Sequence, residues 1–451
     1  MVIKLFNTLT RKKEVFKPLK GKQVNIFVCG PTTYSYIHIG NASTFIRFDF
    51  IVKYLRYKKY GVFYLQNITD IDDKIINKAK EEKIDWKNLS RKYETAFFED
   101  IKNLDIDSIT KFANATDYIP QIVSQVKKLV EKGYAYKISD GYYFDVTKFK
   151  EYGKLAKRTV QEADDGVSRI DENPEKKNKA DFCLWKFKKE NEPFWETEIS
   201  KGRPGWHIED TAITESFFGV QYDIHGGGSD IMFPHHEAEI AQMEAISEKP
   251  LVKYWMHSGL INMNQRKMSK SLGNIASPRD LLSSYGSKLV RYFFLSHHYR
   301  SLTNFSEELM DDAKNSLQRI QDFILKLKNG KDTKESANLF TKYKKEFYKF
   351  MDDDLDTPNA LAVIFNLIRE LNTINSGGKK VLKFFEEINT FFGFLDFEEL
   401  EVPKEILELV KEREKARKGK NFKESDRLRD LIKSKGYIVE DTEKEPVIKK
   451  I

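Results

Sequence analysis

Three adjoining stretches decide the fold: residues 24–29 (VNIFVC), 30–41 (GPTTYSYIHIGN) and 42–57 (ASTFIRFDFIVKYLRY). The first is a short apolar run, which is typical of a buried strand. The second contains glycine, proline and threonine, which favour a loop. The third has apolar residues at every third or fourth position, which predicts a helix. This order of strand, loop and helix is typical of an α/β protein.

The next segments repeat the same order. Residues 61–66 (GVFYLQ) predict a second strand, and residues 67–82 predict a second helix in which Asn67 or Thr69 would be the N-cap. Because strands joined by helices lie parallel with right-handed crossovers, we expect a Rossmann-like parallel sheet. An aromatic run and a polar, charged stretch then interrupt this pattern, which indicates an inserted α+β subdomain.

Helical patterns dominate the chain after residue 305, and a last helical pair precedes KGYIVEDT, which predicts a short strand. The chain is therefore expected to combine a split α/β domain with helical parts. The predicted parts are a Rossmann-like catalytic domain at 1–115 and 205–250, an inserted connective subdomain at 116–204, a linking domain at 251–305, a helical bundle at 306–400 and a small basic domain at 401–451.

The composition excludes several protein classes. The 451 residues are 40% hydrophobic and 13% aromatic, with mixed charge, which excludes a disordered chain. The two cysteines, Cys29 and Cys183, allow no disulfide framework beyond one bond and favour a reducing compartment. The N-terminus lacks the apolar core of a signal peptide, and no apolar run is long enough to span a membrane. We expect a cytoplasmic monomer without a membrane partner.

The tetrapeptide HIGN, residues 38–41, falls where the first loop meets the first helix. The first turn of a helix offers unpaired N–H groups and a positive dipole end, which suit a phosphate chain. Gly40 would let a nucleotide approach the backbone. His38 and Asn41 are therefore candidate catalytic residues that contact ATP. For such a tetrapeptide alone, a helix cap or a packing histidine is the commoner interpretation.

The segment KMSKS, residues 267–271, is followed by Gly273 and Asn274, which predict a loop. Lys267 and Lys270 could neutralise the charge that develops on departing pyrophosphate. A loop rich in lysine and serine is, taken alone, usually plain protein surface.

Between these motifs, HGGGSD at residues 225–230 has three consecutive glycines. Glycine permits backbone contact with a base or a ribose, and a flexible turn is the alternative. The candidate ATP contacts of this segment are Gly226, Gly227, Gly228 and Asp230.

Cys29 ends the first predicted strand, and the carboxyl ends of parallel strands line ligand clefts. His235 and Glu239 are four residues apart, so they would share one helix face, as metal ligands need. Each residue also has a plainer interpretation as a buried thiol, a hydrogen-bonded histidine or an exposed glutamate.

HIGN and KMSKS, in this order within an α/β frame, resemble the two signatures of class I aminoacyl-tRNA synthetases, with Asn41 where histidine is usual. Nearly the whole chain resembles the cysteinyl-tRNA synthetase family. The resemblance implies activation of L-cysteine with ATP and Mg²⁺, transfer to the 3′-terminal adenosine of tRNA-Cys, and a bound Zn²⁺. The stretches that carry it are FNTLTRKKEVFKP, CGPTTYSYIHIGN, NITDIDDKI, PGWHIE, DIHGGGSDIMFPHHEAEIAQ, RKMSKSLGN, HYRS with NFSEE, and DLDTPNAL.

That family binds zinc through two cysteines, a histidine and a glutamate, and the matching positions are Cys29, His235 and Glu239. Asp210, in GWHIED, stands where the second cysteine is expected. Either Asp210 supplies a carboxylate oxygen, which zinc accepts, or the site has lost tight metal binding and Asp210 hydrogen-bonds locally. We favour the first. Cys183 matches no ligand position and is predicted to lie in the core.

A metal would help to separate cysteine from serine, because an apolar pocket discriminates such near-isosteres by only a few kcal/mol. A thiol has a pKa of about 8.5, so it binds a metal as thiolate far more readily than a hydroxyl does. The resemblance places Thr69, Trp206 and His225 beside the bound amino acid. The plainer interpretations of these residues are a helix cap for Thr69 and a packing role for Trp206 and His225.

Residues 411–435 contain 11 Lys/Arg and five Asp/Glu. A solvated helix face is the plain interpretation, but the resemblance implies a tRNA-binding domain whose cations contact phosphates. The family usually continues beyond EDT with a strand containing glycine and tryptophan, which EDTEKEPVIKKI lacks.

Two other functions stay open. The first is an ATP-dependent ligase that joins cysteine to an amino sugar, which the basic C-terminal segment disfavours. The second is a non-catalytic RNA-binding paralogue, which the intact HIGN and KMSKS motifs disfavour.

Overall fold

The structure is a computed structural model that describes residues 2–158, 173–263, 266–267, 277–397, 402–440 and 446–450. The chain forms two compact units, Met1–Leu395 and Asp396–Ile451. Residues 268–271 of KMSKS lie outside the described residues, and the predicted role of Lys270 lies there with them.

A parallel five-stranded sheet, in the order β12-β11-β3-β4-β5, is the centre of the larger unit. The strands of this unit are, in chain order, β1 (Lys4–Asn7), β2 (Lys12–Val15), β3 (Gln23–Val28), β4 (Gly61–Ile68), β5 (Lys111–Asn114), β6 (Ala135–Ile138), β7 (Gly141–Phe144), β8 (Phe182–Phe187), β9 (Trp195–Glu196), β10 (Lys201–Pro204), β11 (Tyr222–Gly228), β12 (Val252–Ser258), β13 (Ile261–Met263), β14 (Arg266–Lys267) and β15 (Thr303–Phe305). In the register of the sheet, Val28 of β3 lies beside Gly226 of β11 and Gln66 of β4. The predicted parallel sheet is therefore confirmed.

Helices cover this sheet and continue beyond it. Those of the larger unit are α1 (Ile39–Tyr57), α2 (Asp73–Glu82), α3 (Trp86–Asn103), α4 (Ile119–Glu131), α5 (Ile208–Phe218), α6 (Glu237–Ser247), α7 (Pro278–Leu295), α8 (Glu307–Lys328), α9 (Lys334–Met351), α10 (Thr357–Thr373) and α11 (Lys379–Phe392). Helix α1 is buried over most of its length because it packs on the sheet on one side and on α7 and α11 on the other. Asp49 of α1 and Arg291 of α7 form a fully buried ion pair of 2.7 Å.

The predicted cap of the second helix is wrong. Asp72, rather than Asn67 or Thr69, is the N-cap of α2, and its carboxylate accepts from the Lys74 N–H at 2.9 Å. The reason is that β4 runs on to Ile68, so Asn67 still belongs to the strand and the helix starts later.

The inserted part is an antiparallel sheet in the order β6-β7-β8-β10-β9. Leu184 and Trp185 of β8 are fully buried in one apolar core with residues of α4, α5 and α6. This packing fixes α5 and α6 between the two sheets, and both helices carry candidate site residues.

The rest of the larger unit is mostly helical. Strands β14, β13 and β15 form a small sheet; α7 lies between β14 and β15 in the chain, and α8 to α11 follow β15. Asp354, between α9 and α10, is fully buried and accepts from the Phe6 N–H (2.7 Å), the Tyr299 hydroxyl (2.8 Å) and the Arg300 guanidinium. The helical region is thereby tied to the strand at the start of the chain.

The smaller unit contains α12 (Lys404–Lys418), α13 (Phe422–Ser434), β16 (Tyr437–Glu440) and β17 (Val447–Lys450). The two strands pair antiparallel, and Ile448 packs against the apolar core of the unit. The residues VIKK thus form a strand here, without the glycine and tryptophan of the strand that is usual in the family. Among the described residues of the chain, no helix combines the length and the apolar character that crossing a membrane requires.

Candidate active site and metal centre

The candidate site lies at one edge of the parallel sheet, where β3 and β11 end side by side. Cys29 directly follows β3, and its backbone N–H donates to a carbonyl of β11 at 3.1 Å. Asp210 lies in the first turn of α5. His235 lies in the turn before α6, and Glu239 lies in the first turn of α6. The structure thus brings together the four residues predicted to bind a metal.

Distances within this group are short. Cys29 Sγ lies 3.3 Å from Asp210 Oδ2, and His235 Nε2 lies 3.1 Å from the same oxygen. His235 Nε2 lies 3.2 Å from Glu239 Oε1. One ligand atom from each residue falls within 4.8 Å of all the others, and all four residues are buried. We call Cys29, Asp210, His235 and Glu239 the thiol cluster.

The electrostatics of the thiol cluster suit a divalent cation. Burial raises the pKa of the Cys29 thiol well above its usual range, and the charges of Asp210 and Glu239 raise it further. Burial also raises the pKa of Glu239, as does Asp210. The Glu239 Oε1 atom has no hydrogen-bond partner among the described residues. One sulfur, one imidazole nitrogen and two carboxylate oxygens are donor types that zinc accepts, so the residues fit the ion.

Two further histidines reach the thiol cluster. His236 Nε2 lies 3.2 Å from Cys29 Sγ, and His225 Nε2 lies 3.8 Å from that sulfur and 3.5 Å from a Glu239 oxygen. With Cys29 and Glu239 they form a second group of four donor atoms within 4.8 Å of one another. The sequence suggests His225 as a substrate contact but gives no role to His236. The two adjacent histidines in FPHHEAE are the sequence feature from which a role for His236 could have been predicted.

The imidazoles of His225, His235 and His236 each have their other ring nitrogen close to a second polar side chain. The pairs are His207 Nδ1 with His235 Nδ1 (2.8 Å), the Tyr222 hydroxyl with His225 Nδ1 (2.6 Å), and His257 Nε2 with His236 Nδ1 (2.8 Å). Burial lowers the pKa of His207, His225 and His236 well below the usual range. These rings are therefore neutral, which is the form in which imidazole binds a metal. Such outer partners orient a ligand ring.

The Asp210 carboxylate contacts the side-chain amide of Asn67 as well as the other members of the thiol cluster. Asn67 Nδ2 donates to Asp210 Oδ1 at 2.6 Å, which leaves Oδ2 toward Cys29 and His235. This arrangement presents one carboxylate oxygen in a fixed direction. Cys183 is buried elsewhere, on β8, as the sequence predicts, and its sulfur lies 3.7 Å from the Tyr142 carbonyl.

The residues suggested as amino-acid contacts adjoin the thiol cluster. The Trp206 ring stacks on the His235 ring, with centroids 4.3 Å apart and planes 12° apart. The Thr69 hydroxyl accepts from Asn67 Nδ2 at 3.3 Å. A cleft of about 90 Å³ opens beside Trp206, and its lining includes Thr32 and Asp72. The cluster therefore has an open space next to it.

The three glycines of HGGGSD belong to β11 rather than to a flexible turn. A Cβ atom at Gly226 would lie 2.4 Å from the Phe48 ring of α1, and one at Gly227 would lie 2.8 Å from the His236 ring. Close packing of α1 and His236 on the strand therefore already requires glycine here. Asp230 follows the strand and is exposed.

The HIGN residues cap α1. His38 is the N-cap, and its Nδ1 accepts from the N–H groups of Gly40 (3.1 Å) and Asn41 (3.3 Å). Asn41 Oδ1 in turn accepts from the His38 N–H at 3.2 Å. The plain interpretation of a capping histidine is thus correct, and the cap places both side chains beside a helix N-terminus. The backbone of Lys267 belongs to β14.

Models of three protein families match the chain in succession. Residues 15–315 match the model for the class I (C) tRNA synthetase catalytic domain. Residues 346–396 match the DALR domain, and residues 400–446 match the cysteinyl-tRNA ligase anticodon binding domain. The first match alone covers more than half of the chain.

Relatives along the full length agree with this assignment. A cysteine–tRNA ligase of Thermoplasma volcanium is 45% identical over 447 residues, which is 97% of each chain. One of Carboxydothermus hydrogenoformans is 42% identical over 461 residues, which is 98% of each chain.

Solved structures share the fold at low identity. Mycobacterium tuberculosis methionyl-tRNA synthetase in complex with methionyl-adenylate is 16% identical, with a TM-score of 0.61 over 83% of this chain and 88% of that one. The LeuRS of Agrobacterium radiobacter, in a complex with tRNA and LeuAMS, is 10% identical, with the same TM-score over 83% and 84%. On the family models and the full-length relatives, this chain belongs to the cysteine–tRNA ligase family of the class I aminoacyl-tRNA synthetases.

Proposed function

We propose that this protein is a cysteine–tRNA ligase, which activates L-cysteine with ATP and transfers the cysteinyl group to the 3′-terminal adenosine of tRNA-Cys. The observation that carries the proposal is the thiol cluster, which lies at the carboxyl edge of the sheet in a chain of this family. Ligands of α/β proteins bind at this edge.

The amino-acid half of the site would be the thiol cluster and its neighbours. Cys29, Asp210, His235 and Glu239 would hold one Zn²⁺, which when bound supplies a Lewis acid that favours a thiolate over a hydroxyl. Trp206 covers the His235 ring and would exclude water from that side. Thr69 and His225 would be polar contacts for the amino acid. Cysteine would thereby be preferred to serine.

The nucleotide half would be built on the N-terminus of α1. His38 and Asn41 would exchange their mutual capping bonds for contacts to phosphate and ribose, while Gly40 and the helix dipole favour the phosphate chain. Gly226, Gly227, Gly228 and Asp230 would lie near the adenosine.

Activation would be an in-line attack of the cysteine carboxylate on the α-phosphate, with pyrophosphate leaving together with Mg²⁺. The protein supplies positioning and charge neutralisation, with no covalent nucleophile of its own. Lys267 and Lys270 would meet the negative charge that develops on the departing group.

The RNA would be held mainly by charge. Helices α12 and α13 contain most of the 11 Lys/Arg residues of the segment 411–435. Such residues position an RNA through its phosphates. The proposed domain limits remain 1–115 with 205–250, 116–204, 251–305, 306–400 and 401–451, and we propose a cytoplasmic monomer.

Exchange of labelled pyrophosphate into ATP tests the proposal. We expect exchange that depends on cysteine, is much weaker with serine, and needs no tRNA, together with cysteine transfer to tRNA-Cys. Exchange with transfer to an amino sugar but not to tRNA would favour the amino-sugar ligase. No exchange with any amino acid, despite tRNA binding, would favour the RNA-binding paralogue.

A further inference from the structure

Arg47, in the middle of α1, is a fully buried arginine whose charge no carboxylate neutralises. It is 0% exposed. Burial lowers the pKa of its guanidinium to about 10, and no carboxylate among the described residues counters this effect. Arg291, which is equally buried, instead pairs with Asp49 of the same helix. Because an unpaired buried charge destabilises a fold where an apolar side chain would not, packing alone does not account for an arginine here.

The guanidinium joins α1 to the small sheet that contains the backbone of Lys267. Arg47 Nη1 donates to the Gly259 carbonyl at 2.8 Å, and Nη2 donates to Thr303 Oγ1 at 2.7 Å. Gly259 lies between β12 and β13, and Thr303 is the first residue of β15. Strand β13 pairs with both β15 and β14, and its Asn262 lies opposite Lys267 of β14. One side chain is therefore bonded to both segments that set the position of β13, the strand with which β14 pairs.

A second contact one turn earlier in α1 reinforces this attachment. Thr44 Oγ1 lies 2.7 Å from the hydroxyl of Ser258, the last residue of β12. Thr44 and Arg47 are three residues apart on one face of the helix, and they contact the consecutive residues Ser258 and Gly259. A Cβ atom at Gly259 would lie 2.0 Å from the Ser301 carbonyl oxygen, so the chain is closely packed at this point. The turn out of β12 is therefore held in one orientation relative to α1.

The same helix begins at the HIGN motif. His38 is its N-cap, nine residues before Arg47, which corresponds to about 14 Å along the helix axis. In the proposed reaction, His38 and Lys267 act on one ATP molecule. Their relative position therefore affects the rate, because small displacements of groups that contact the reacting atoms slow catalysis strongly.

We propose that Arg47 is a positioning residue that fixes the strand pair β13–β14, and with it the backbone of Lys267, relative to the N-terminus of α1. This inference rests on the proposed function, and it adds a determinant of the rate of adenylate formation that touches neither substrate. A planar guanidinium with two bonds defines an orientation, which an ammonium or an apolar side chain does not. Loss of Arg47 should therefore impair the chemical step rather than the binding of cysteine or of the metal.

Exchange of labelled pyrophosphate into ATP by Arg47→Met tests this role. Methionine is long and apolar, so we expect the variant to fold with its thermal stability retained. We expect kcat to fall by about 10- to 100-fold, while the KM for cysteine and the metal content stay unchanged. Arg47→Lys, which keeps the charge but not both bonds, should recover only part of the rate. A kcat equal to that of the wild type in Arg47→Met would overturn the proposal.

Arg56→Met is the matched control. Arg56 lies in the last turn of α1, far from HIGN, and donates to the carbonyls of Val62 (3.1 Å) and Ser108 (2.9 Å). Its loss removes bonds of the same type from the same helix, so we expect an unchanged kcat. An equal loss of rate in Arg56→Met would show that kcat responds to any disturbance of α1, and it would contradict the proposal.

The acceptor side of the contact tests the proposal if Arg47→Met does not fold. Thr303→Val removes one of the two acceptors and should lower kcat by about tenfold, and Thr303→Ser, which restores the hydroxyl, should recover the rate. Because Arg47 is proposed to act through Lys267, Thr303→Val should have little further effect in a Lys267→Ala protein. A full additional loss in that double variant would overturn the proposal.

Failure of this inference is distinct from failure of the proposed function. Cysteine-dependent exchange in the wild-type protein, together with an undiminished kcat in Arg47→Met, would refute the role of Arg47 alone. Absence of exchange in the wild-type protein at saturating cysteine would refute the function itself.

Discussion

The two halves of the candidate site are built differently. The thiol cluster is made of buried side chains from the end of β3, from α5, from α6 and from the turn before α6. His235 and the neighbouring His225 and His236 are held by other buried side chains. The nucleotide half depends on His38 and Asn41, which are partly exposed and bond to the backbone of their own helix. The difference indicates that the amino-acid end is preformed, whereas the nucleotide end must exchange local bonds for ligand bonds.

Removal of the cluster's sulfur should have the largest effect. We expect Cys29→Ala to lose its zinc and to reduce cysteine-dependent exchange by about a thousandfold or more, because both carboxylates would then remain buried without the full donor set. Metal analysis of the purified protein and exchange kinetics measure both results. Cys183→Ala, the other buried cysteine, is the control and should retain the metal. A Cys29→Ala protein with full metal content would contradict the claim that the thiol cluster is the preformed metal site.

Replacement of His38, the histidine of HIGN, should impair the nucleotide half of the site alone. Asparagine is a strong N-cap, so His38→Asn should preserve α1 and the metal while it reduces the exchange rate by about 10²- to 10³-fold. Thermal melting and metal content would stay unchanged. His38→Ala should, in addition, cost about 1 kcal/mol of stability through the lost cap. Loss of metal in His38→Asn would contradict the independence of the two halves.

Loss of the side chain that orients His225, the histidine that contacts Cys29 and Glu239 of the thiol cluster, should have a smaller effect. Tyr222→Phe removes the hydroxyl that lies 2.6 Å from His225 Nδ1. We expect the affinity for zinc to fall by about 10- to 100-fold, as measured by competition with a chelator, with no change in the KM for ATP. Unchanged zinc affinity would place His225 outside the set of groups that support the metal.

The exchange of one ligand type for another should have the smallest effect. Asp210→Cys restores the donor set expected of the family and should keep the metal. Because a thiolate donates more charge than a carboxylate, we expect the metal to become a weaker Lewis acid and the KM for cysteine to rise by less than about tenfold. Serine discrimination should persist. No change in cysteine affinity would show that the carboxylate of Asp210 has no influence on thiol capture.

Local patterns were sufficient for much of the fold. The apolar run before Cys29 and the helical spacing after Asn41 correctly predict β3 and α1, and the position of Cys29 at a strand end correctly places it at the sheet edge. The cap at Asp72 was missed because a strand can extend beyond its apolar run, which only the pairing of β4 with β5 reveals.

The cluster's surroundings could not be predicted in the same way. The spacing of His235 and Glu239 follows helix geometry, whereas the approach of His257 to His236 depends on how β12 packs beside the turn before α6. Likewise, Glu209 and Asp210 are adjacent acids in sequence. Only the three-dimensional packing shows that Asp210 is the one that approaches Cys29.

The central claim is that the thiol cluster binds a metal that captures the substrate's thiol. Its most direct test is the metal content of the purified protein, wild type against Asp210→Ala, with the cysteine-to-serine exchange ratio measured on the same samples. We predict about one zinc per wild-type chain, and a loss of both zinc and discrimination in Asp210→Ala. A wild-type protein that is free of metal after growth with zinc, yet still activates cysteine in preference to serine, would contradict the account.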